Sequence, residues 1–144
     1  FLEAVRVSGD SKIRFPRLTG TSNMVPVDQA AEAISKTVIS NTLGKLIYVT
    51  NPEPPEAQWV LDNTLEFFGA KDTFVFLDIE FSEYEKLHKT EGEKILYVSG
   101  KHFSPYWSLP YNFPESALNK NLITKEYLKK THHSFLNSRN IGTV

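Results

Sequence analysis

The chain has 144 residues, a length that fits one domain or one piece of a larger domain. Its formal net charge is −1. The near-zero charge gives no electrostatic basis for binding nucleic acid or an anionic membrane surface. No apolar run approaches the ~20 residues of a membrane span, and the absence of cysteine excludes disulfides and thiolate chemistry. Ten Phe supply material for a packed core. The chain starts with Phe and has no signal-peptide pattern there, so we expect a processed form or fragment in the cytoplasm.

The first sixteen residues predict a helix followed by a strand. Residues 1–7 favour the end of a helix, and Gly9 marks a turn. Residues 12–16 alternate polar and apolar side chains, which predicts a short exposed strand.

Residues 24–50 predict a strand, a helix and a second strand. Residues 24–27 are expected to form a buried strand, and Asp28 is expected to accept a hydrogen bond as the N-cap of the helix. Gly44 ends this unit, and residues 45–50 predict the second strand. The helix should bury one face, made by Ala30, Ala31, Ile34 and Val38.

The next stretch predicts a second helix and a third strand. Pro54 and Pro55 suit the opening of a helix, and Gly69 suits its left-handed C-terminal cap. Residues 73–79 are rich in strand formers. The core face of the helix should contain Val60, Leu61, Leu65 and Phe68.

The last third of the chain is less regular. A capping box from Ser82 to Glu85 predicts a third helix, whereas residues 92–114 mix Gly, Pro and aromatics and support no assignment. Thr124 is expected to cap a final helix, and residues 139–144 a frayed tail. The buried face of the final helix should contain Tyr127, Leu128, Thr131 and Phe135.

The order of predicted elements favours an α/β fold. The predicted strands are too few for a free-standing doubly wound sheet. We therefore expect residues 1–144 to form a single subdomain of a larger enzyme.

Several motifs in order resemble the late part of extended short-chain dehydrogenase/reductases: Val25-Pro26-Val27-Asp28, Tyr48-Val49-Thr50-Asn51, and a helix that ends at Gly69. The turn Asn51-Pro52-Glu53-Pro54-Pro55, with Trp59 after it, resembles the thioester-reductase and fatty-acyl-CoA-reductase branch. Residues 111–118 support that branch. The 3β-hydroxysteroid and sterol dehydrogenase branch has a similar turn and stays an alternative. Ser22 or Asn23 stands where the nucleotide-sugar branch has an Arg, which argues against a nucleotide-sugar substrate.

The resemblance implies the C-terminal, substrate-binding subdomain of a Rossmann-type enzyme whose N-terminal half is not in these residues. The parent would use NADP or NAD to reduce an acyl thioester or related carbonyl. The sequence contains no Gly-x-x-Gly-x-x-Gly turn to hold a pyrophosphate. We therefore expect no cofactor-binding, catalytic or metal-binding residue in this chain, and no activity from it alone.

The candidate substrate-binding residues are Asn23, Phe103, Tyr106, Trp107 and Tyr111. The four aromatic residues of this set either line a channel for a hydrophobic acyl-type molecule or cover an irregular loop. The expected partners are that small molecule, the missing N-terminal half and, as a possibility, further copies of the chain. A non-catalytic binding or interaction module is the alternative from another functional class.

Three other patterns have structural explanations that we favour over a catalytic or metal-binding role. Tyr97 and Lys101 have the Tyr-x-x-x-Lys spacing of the family's catalytic pair, but they come after the Val-Pro-Val-Asp motif and Gly100 weakens a helix there. His132 and His133 are adjacent and should point apart on a helix. Asp78 and Glu80 should share one side of a strand, as an acid/base pair or as a solvated edge.

Overall fold

The structure, a computed structural model, describes residues 1–40, 44, 46–109, 113, 116–118 and 123–139. Within these residues the chain is mixed α/β, with seven α-helices and one two-stranded parallel sheet. No helix in these ranges is long and apolar enough to cross a membrane.

Two helices and a 3-10 turn separate the two strands along the chain. In chain order the elements are α1 (Leu2–Ser8), β1 (Ile13–Pro16), α2 (Val27–Ile39), α3 (Ala57–Phe67), a 3-10 turn (Lys71–Thr73), β2 (Phe74–Leu77), α4 (Phe81–Lys86), α5 (Glu91–Gly100), α6 (Ser104–Trp107) and α7 (Lys125–Arg139).

Strand β1 runs through the centre of the core. It pairs in parallel with β2, and Ile13 lies opposite Phe74. Ile13 is 0% exposed and Phe15 is 6% exposed, so the prediction of an exposed strand is wrong. The reason is that α4 and α5 pack on β1, as helices cover the faces of parallel strands. The core cluster comprises Ala4, Ile13, Phe15, Leu65, Ala70, Phe74 and Tyr84.

The predicted strands at 24–27 and 45–50 are absent from the described residues. Residues 46–50 are irregular, and α2 already begins at Val27, with Pro26 as its N-cap residue. Asp28 lies inside the first helical turn and makes no cap bond, so the Asp28 N-cap prediction is wrong. The fixed φ of Pro26, here −58°, suits the entry to a helix, and Pro26 cannot donate to a sheet.

Helix α2 leaves its predicted core face in solvent. Ala33 is its only fully buried residue, whereas Ile34 is 56% exposed and Val38 is 74% exposed. Ala30 is half-buried and Ala31 is exposed. Ile34 and Val38 lie on one side of α2, but within the described residues no helix or strand covers that side.

Helix α3 ends as predicted. Gly69 has a φ of +66°, and its N–H donates to the Glu66 carbonyl at 3.2 Å, while the N–H of Ala70 donates to the Leu65 carbonyl at 2.8 Å. This pair of bonds is a Schellman cap, which requires a left-handed residue at the position of Gly69. The helix begins after Glu56, just beyond the two prolines.

The capping box occurs at a different helix from the one predicted. Helix α4 follows Glu80 without a side-chain cap bond. The box is formed at the start of α5, where Thr90 accepts from the N–H of Glu93 and Glu93 accepts from the N–H of Thr90. Residues 82–85 fit the capping-box pattern equally well by sequence, but Ser82 lies inside α4, which begins one residue earlier at Phe81.

Helix α7 begins where the sequence predicts. The Thr124 hydroxyl accepts a hydrogen bond from the N–H of Tyr127 at 3.1 Å, which confirms the N-cap. The buried face is rotated from the predicted one, because Leu128 and Leu136 are buried while Phe135 is 43% exposed and Thr131 is exposed. The predicted frayed tail at residues 139–144 lies, after Arg139, outside the described residues.

Candidate functional site

An apolar cavity of about 330 Å³ lies between α3, β1 and α5. Its size is near the lower end of the range for small-molecule pockets, ~300–1,000 Å³. Apolar and aromatic side chains make most of its wall, including Phe15, Leu61, Phe74, Leu96 and Trp107. Such a wall suits a hydrocarbon chain.

A second cavity, of about 470 Å³, adjoins the first. The two share Ser22, Ala57 and Trp107 in their walls. The second cavity differs in character, because irregular segments form most of its wall and polar side chains contribute. Its wall also contains Thr21, Asn23, Thr50, Tyr106 and Phe113.

Gly20 allows the segments around the second cavity to approach one another. Its N–H donates to the Trp107 carbonyl at 2.7 Å, and its carbonyl accepts from the N–H of Ala57 at 2.9 Å. A Cβ atom at this position would lie 2.6 Å from the Leu109 carbonyl oxygen, which is too close for any side chain. Glycine is therefore required here for the loop after β1 to hold α3 and α6 together.

Asn23 and Asn51 join the loop after β1 to the segment before α3. The backbone N–H of Asn51 donates to Asn23 Oδ1 at 3.0 Å, and Asn51 Nδ2 donates to the Met24 carbonyl at 3.3 Å. Asn51 is 1% exposed, and its Oδ1 accepts from the N–H of Glu53. Asn51, the last residue of the motif quoted above, is thus a structural residue that fixes this wall.

Two polar atoms in this wall have no hydrogen-bond partner in the described part of the chain. They are Asn23 Nδ2 and Thr50 Oγ1, and both atoms are buried. Because buried polar groups in proteins are nearly always paired, unpaired ones beside a cavity point to a ligand or to ordered water.

Trp107 lines both cavities. Its ring packs edge-on against Phe15 at 5.9 Å and against Phe81 at 6.1 Å between centroids. On α5, a Cβ atom at Gly100 would meet the indole at 2.5 Å. The absence of a side chain at Gly100 therefore permits the position of Trp107.

The structure brings together three of the five candidate substrate-binding residues. Asn23, Tyr106 and Trp107 all line the second cavity. Phe103 is 57% exposed and lines neither cavity, and Tyr111 lies outside the described residues. Sequence reasoning missed Thr50 as a wall residue; the only signal was a polar side chain that ends an apolar run.

Tyr97 and Lys101 lie at the C-terminal end of α5, where Tyr97 already has a hydrogen-bond partner. The Tyr97 hydroxyl donates to the Glu85 carboxylate, and that hydrogen bond raises the pKa of Tyr97. A proton-transferring Tyr needs the opposite shift. Lys101 is exposed at the C-terminal end of α5.

The remaining candidate groups also have structural contacts. His132 and His133 both pack on Phe67, at 5.1 and 4.8 Å between ring centroids. Asp78 accepts from Arg17 at 2.8 Å in solvent. Because β2 ends at Leu77, the prediction that Asp78 and Glu80 share a strand is wrong. Within the described ranges, no three His, Cys, Asp or Glu residues are grouped so as to hold a metal ion.

Comparison of the chain with family models, with curated proteins and with solved structures finds no match.

Proposed function

We propose that this chain is the substrate-binding part of an NAD(P)-dependent reductase of the extended short-chain dehydrogenase/reductase class. Its role is to hold the acyl portion of an acyl thioester or related carbonyl compound. The proposal is supported by the motif order in the sequence and, above all, by the apolar cavity of about 330 Å³ beside Trp107.

Under this proposal the cofactor is bound by a Rossmann half supplied by a separate stretch of polypeptide. The 144 residues contain no Gly-x-x-Gly-x-x-Gly turn to cradle a pyrophosphate. We therefore expect calorimetric titration of the chain with NADPH or NADH to give no heat of specific binding. Micromolar affinity for either dinucleotide would contradict this division of roles.

The test of the acyl site is a calorimetric titration with decanamide. Val60 lines the apolar cavity from α3 and is only half-buried, so Val60→Trp should fill the space without disturbing the core. Val98 is 60% exposed on α5 and outside both cavity walls, so Val98→Trp is the matched control. We expect at least ~10-fold weaker binding for Val60→Trp and no change for Val98→Trp. Equal affinities for the two variants would exclude the cavity as the binding site. A steroid titrated in place of decanamide tests the sterol dehydrogenase alternative.

An interaction module is the second candidate function. The observation that favours it is the exposed apolar face of α2, which includes Ile34 and Val38. The coding sequence upstream of Phe1 discriminates the two candidates. A Gly-rich strand–turn–helix followed by Tyr-x-x-x-Lys in that upstream sequence would support the reductase proposal over the interaction module.

A further inference from the structure

We propose that the second cavity binds an uncharged carbonyl group, with the Asn23 amide and the Thr50 hydroxyl as its hydrogen-bond donors. The inference rests on the proposed function, because the adjoining apolar cavity would hold the hydrocarbon chain of the same ligand. It adds the chemical class of the head group: a neutral amide, ester or thioester rather than a free carboxylate.

The orientation of the Asn23 side chain determines what it offers to a ligand. Oδ1 already accepts from the N–H of Asn51 at 3.0 Å, so the amide group cannot turn over without losing that bond. Nδ2 is therefore a donor in a fixed position, and it is buried without an acceptor. A ligand oxygen would supply the missing acceptor.

Thr50 offers a second donor beside the first. Its carbonyl is occupied, because it accepts from the Ser116 hydroxyl at 2.6 Å, while its own Oγ1 is buried and unpaired. Thr50 directly precedes Asn51, whose N–H bonds to Asn23, so the two donors belong to one hydrogen-bonded wall. A carbonyl oxygen has two lone pairs and can accept from both.

The charge of the wall selects against an ionised head group. None of the residues that line the second cavity in the described part of the chain is Asp, Glu, Lys, Arg or His. A carboxylate would lose water there without gaining a cation, which is far more unfavourable than transfer of a neutral carbonyl. Tyr106, Trp107 and Phe113 add aromatic surface, which suits a flat neutral group.

The experiment compares three ligands that share one hydrocarbon chain: decanamide, decanoate and decylamine. Affinity is measured by calorimetry at neutral pH for the unaltered chain and for two variants. Asn23→Asp keeps an oxygen for the N–H of Asn51 but replaces the free donor with a charged acceptor. Thr50→Val keeps the shape and removes the hydroxyl. Asn137→Asp and Thr131→Val, both at exposed positions on α7, are the matched controls.

We expect the unaltered chain to bind decanamide at least ~10-fold more tightly than decanoate. Thr50→Val should weaken decanamide binding ~10-fold, and Asn23→Asp should weaken it further while strengthening the binding of decylamine. The control variants should bind all three ligands as the unaltered chain does. If circular dichroism shows that Asn23→Asp does not fold, the decanamide affinity of Thr50→Val alone tests the carbonyl site.

Two outcomes overturn the inference in different ways. If the three ligands bind with equal affinity and Thr50→Val does not change it, the carbonyl site is contradicted, whereas the apolar site is still supported. No binding of any ligand would remove the proposed function together with the inference.

Discussion

Glu93 is fully buried, and its carboxylate joins α5 to β1. It accepts from the Arg14 guanidinium at 2.8 and 2.9 Å and from the Arg14 N–H at 2.9 Å. We predict that Glu93→Gln lowers the free energy of unfolding by about 2 kcal/mol, since hydrogen bonds to a charged group each contribute about 1.5–3 kcal/mol. Glu91→Gln, which breaks an exposed pair with Lys94, should change it little. Urea unfolding measures both. Equal midpoints for the two variants would contradict a structural role for Glu93.

The same carboxylate makes stability depend on pH. Burial opposes ionisation of Glu93, but the hydrogen bonds from the Arg14 side chain and from the backbone of Thr90 and Arg14 outweigh it and lower the pKa to about 2. An unfolded Glu has a pKa of about 4.3, so this stabilisation is complete above that value and is lost as pH falls through the folded pKa. The stability difference between the unaltered chain and Glu93→Gln should therefore narrow as pH falls from ~6 to ~3. A constant stability difference over that pH range would contradict the lowered pKa of Glu93.

At the scale of elements, α7 docks on α3 through His132. The His132 ring packs on Phe67 and Phe68 and lies 3.2 Å from the Thr64 hydroxyl. Burial, and then the neighbouring His133, lower the pKa of His132. Beside this contact, Lys125 Nζ pairs with the Glu66 carboxylate at 2.9 Å.

Because the folded pKa of His132 lies below the unfolded value of about 6.5, stability from the neutral ring is present above that pH and is lost below it. Free amides exchange more slowly as the pH falls, so the quantity to compare is the exchange rate in α7 divided by that of free amides at the same pH. We predict that this ratio rises as the pH falls from about 8 to about 5, which reports an excess opening of α7. His132→Gln should remove this excess, and His102→Gln, at an exposed position, should keep it. An excess that persists in His132→Gln would place the titrating group elsewhere.

Two helix ends were predictable from sequence, whereas the Asp28 cap, the Ser82 capping box and two of the strands were predicted wrongly. Gly69 and Thr124 mark helix ends by local backbone chemistry, and both behave as the sequence indicates. The apolar runs at 24–27 and 45–50 have strand composition, but a strand also needs a neighbour to pair with, and local sequence does not show that neighbour. In the structure, the side chains of Asn23 and Ser116 bond to the backbone of residues 50–51 instead.

The candidate site was predictable only in part, for a reason of topology. Tyr106 and Trp107 stand together in the sequence, but Thr50 reaches the same wall because the Asn23–Asn51 hydrogen bond brings two distant loops together. Burial of the strand β1 also depended on contacts far along the chain. Such long-range pairings carry no local sequence signal.

For the whole molecule, the exposed apolar side chains of α2 predict self-association. Val38 is 74% exposed and lies one turn after Ile34 on the same face, and Ile39, beside that face at the end of the helix, is 83% exposed. Contiguous exposed apolar surface of this kind favours contact between copies or with another chain. We predict that the chain scatters light as a dimer or larger species at micromolar concentration, and that Val38→Lys with Ile39→Lys returns it to a monomer. Val98→Lys, on α5, is the control. A clean monomer that binds no hydrophobic dye would contradict the prediction and would favour a complete small domain.

The most direct test of the acyl-binding proposal is where a bound chain lies. We would record intermolecular nuclear Overhauser effects between the methylene protons of decanamide and the aromatic protons of the protein, with Val60→Trp as the blocked control. The account predicts contacts to Trp107 and Phe15, which line the apolar cavity, and their loss in Val60→Trp. Contacts to Val38 and Ile39 on the exposed face of α2, unchanged in Val60→Trp, would contradict it.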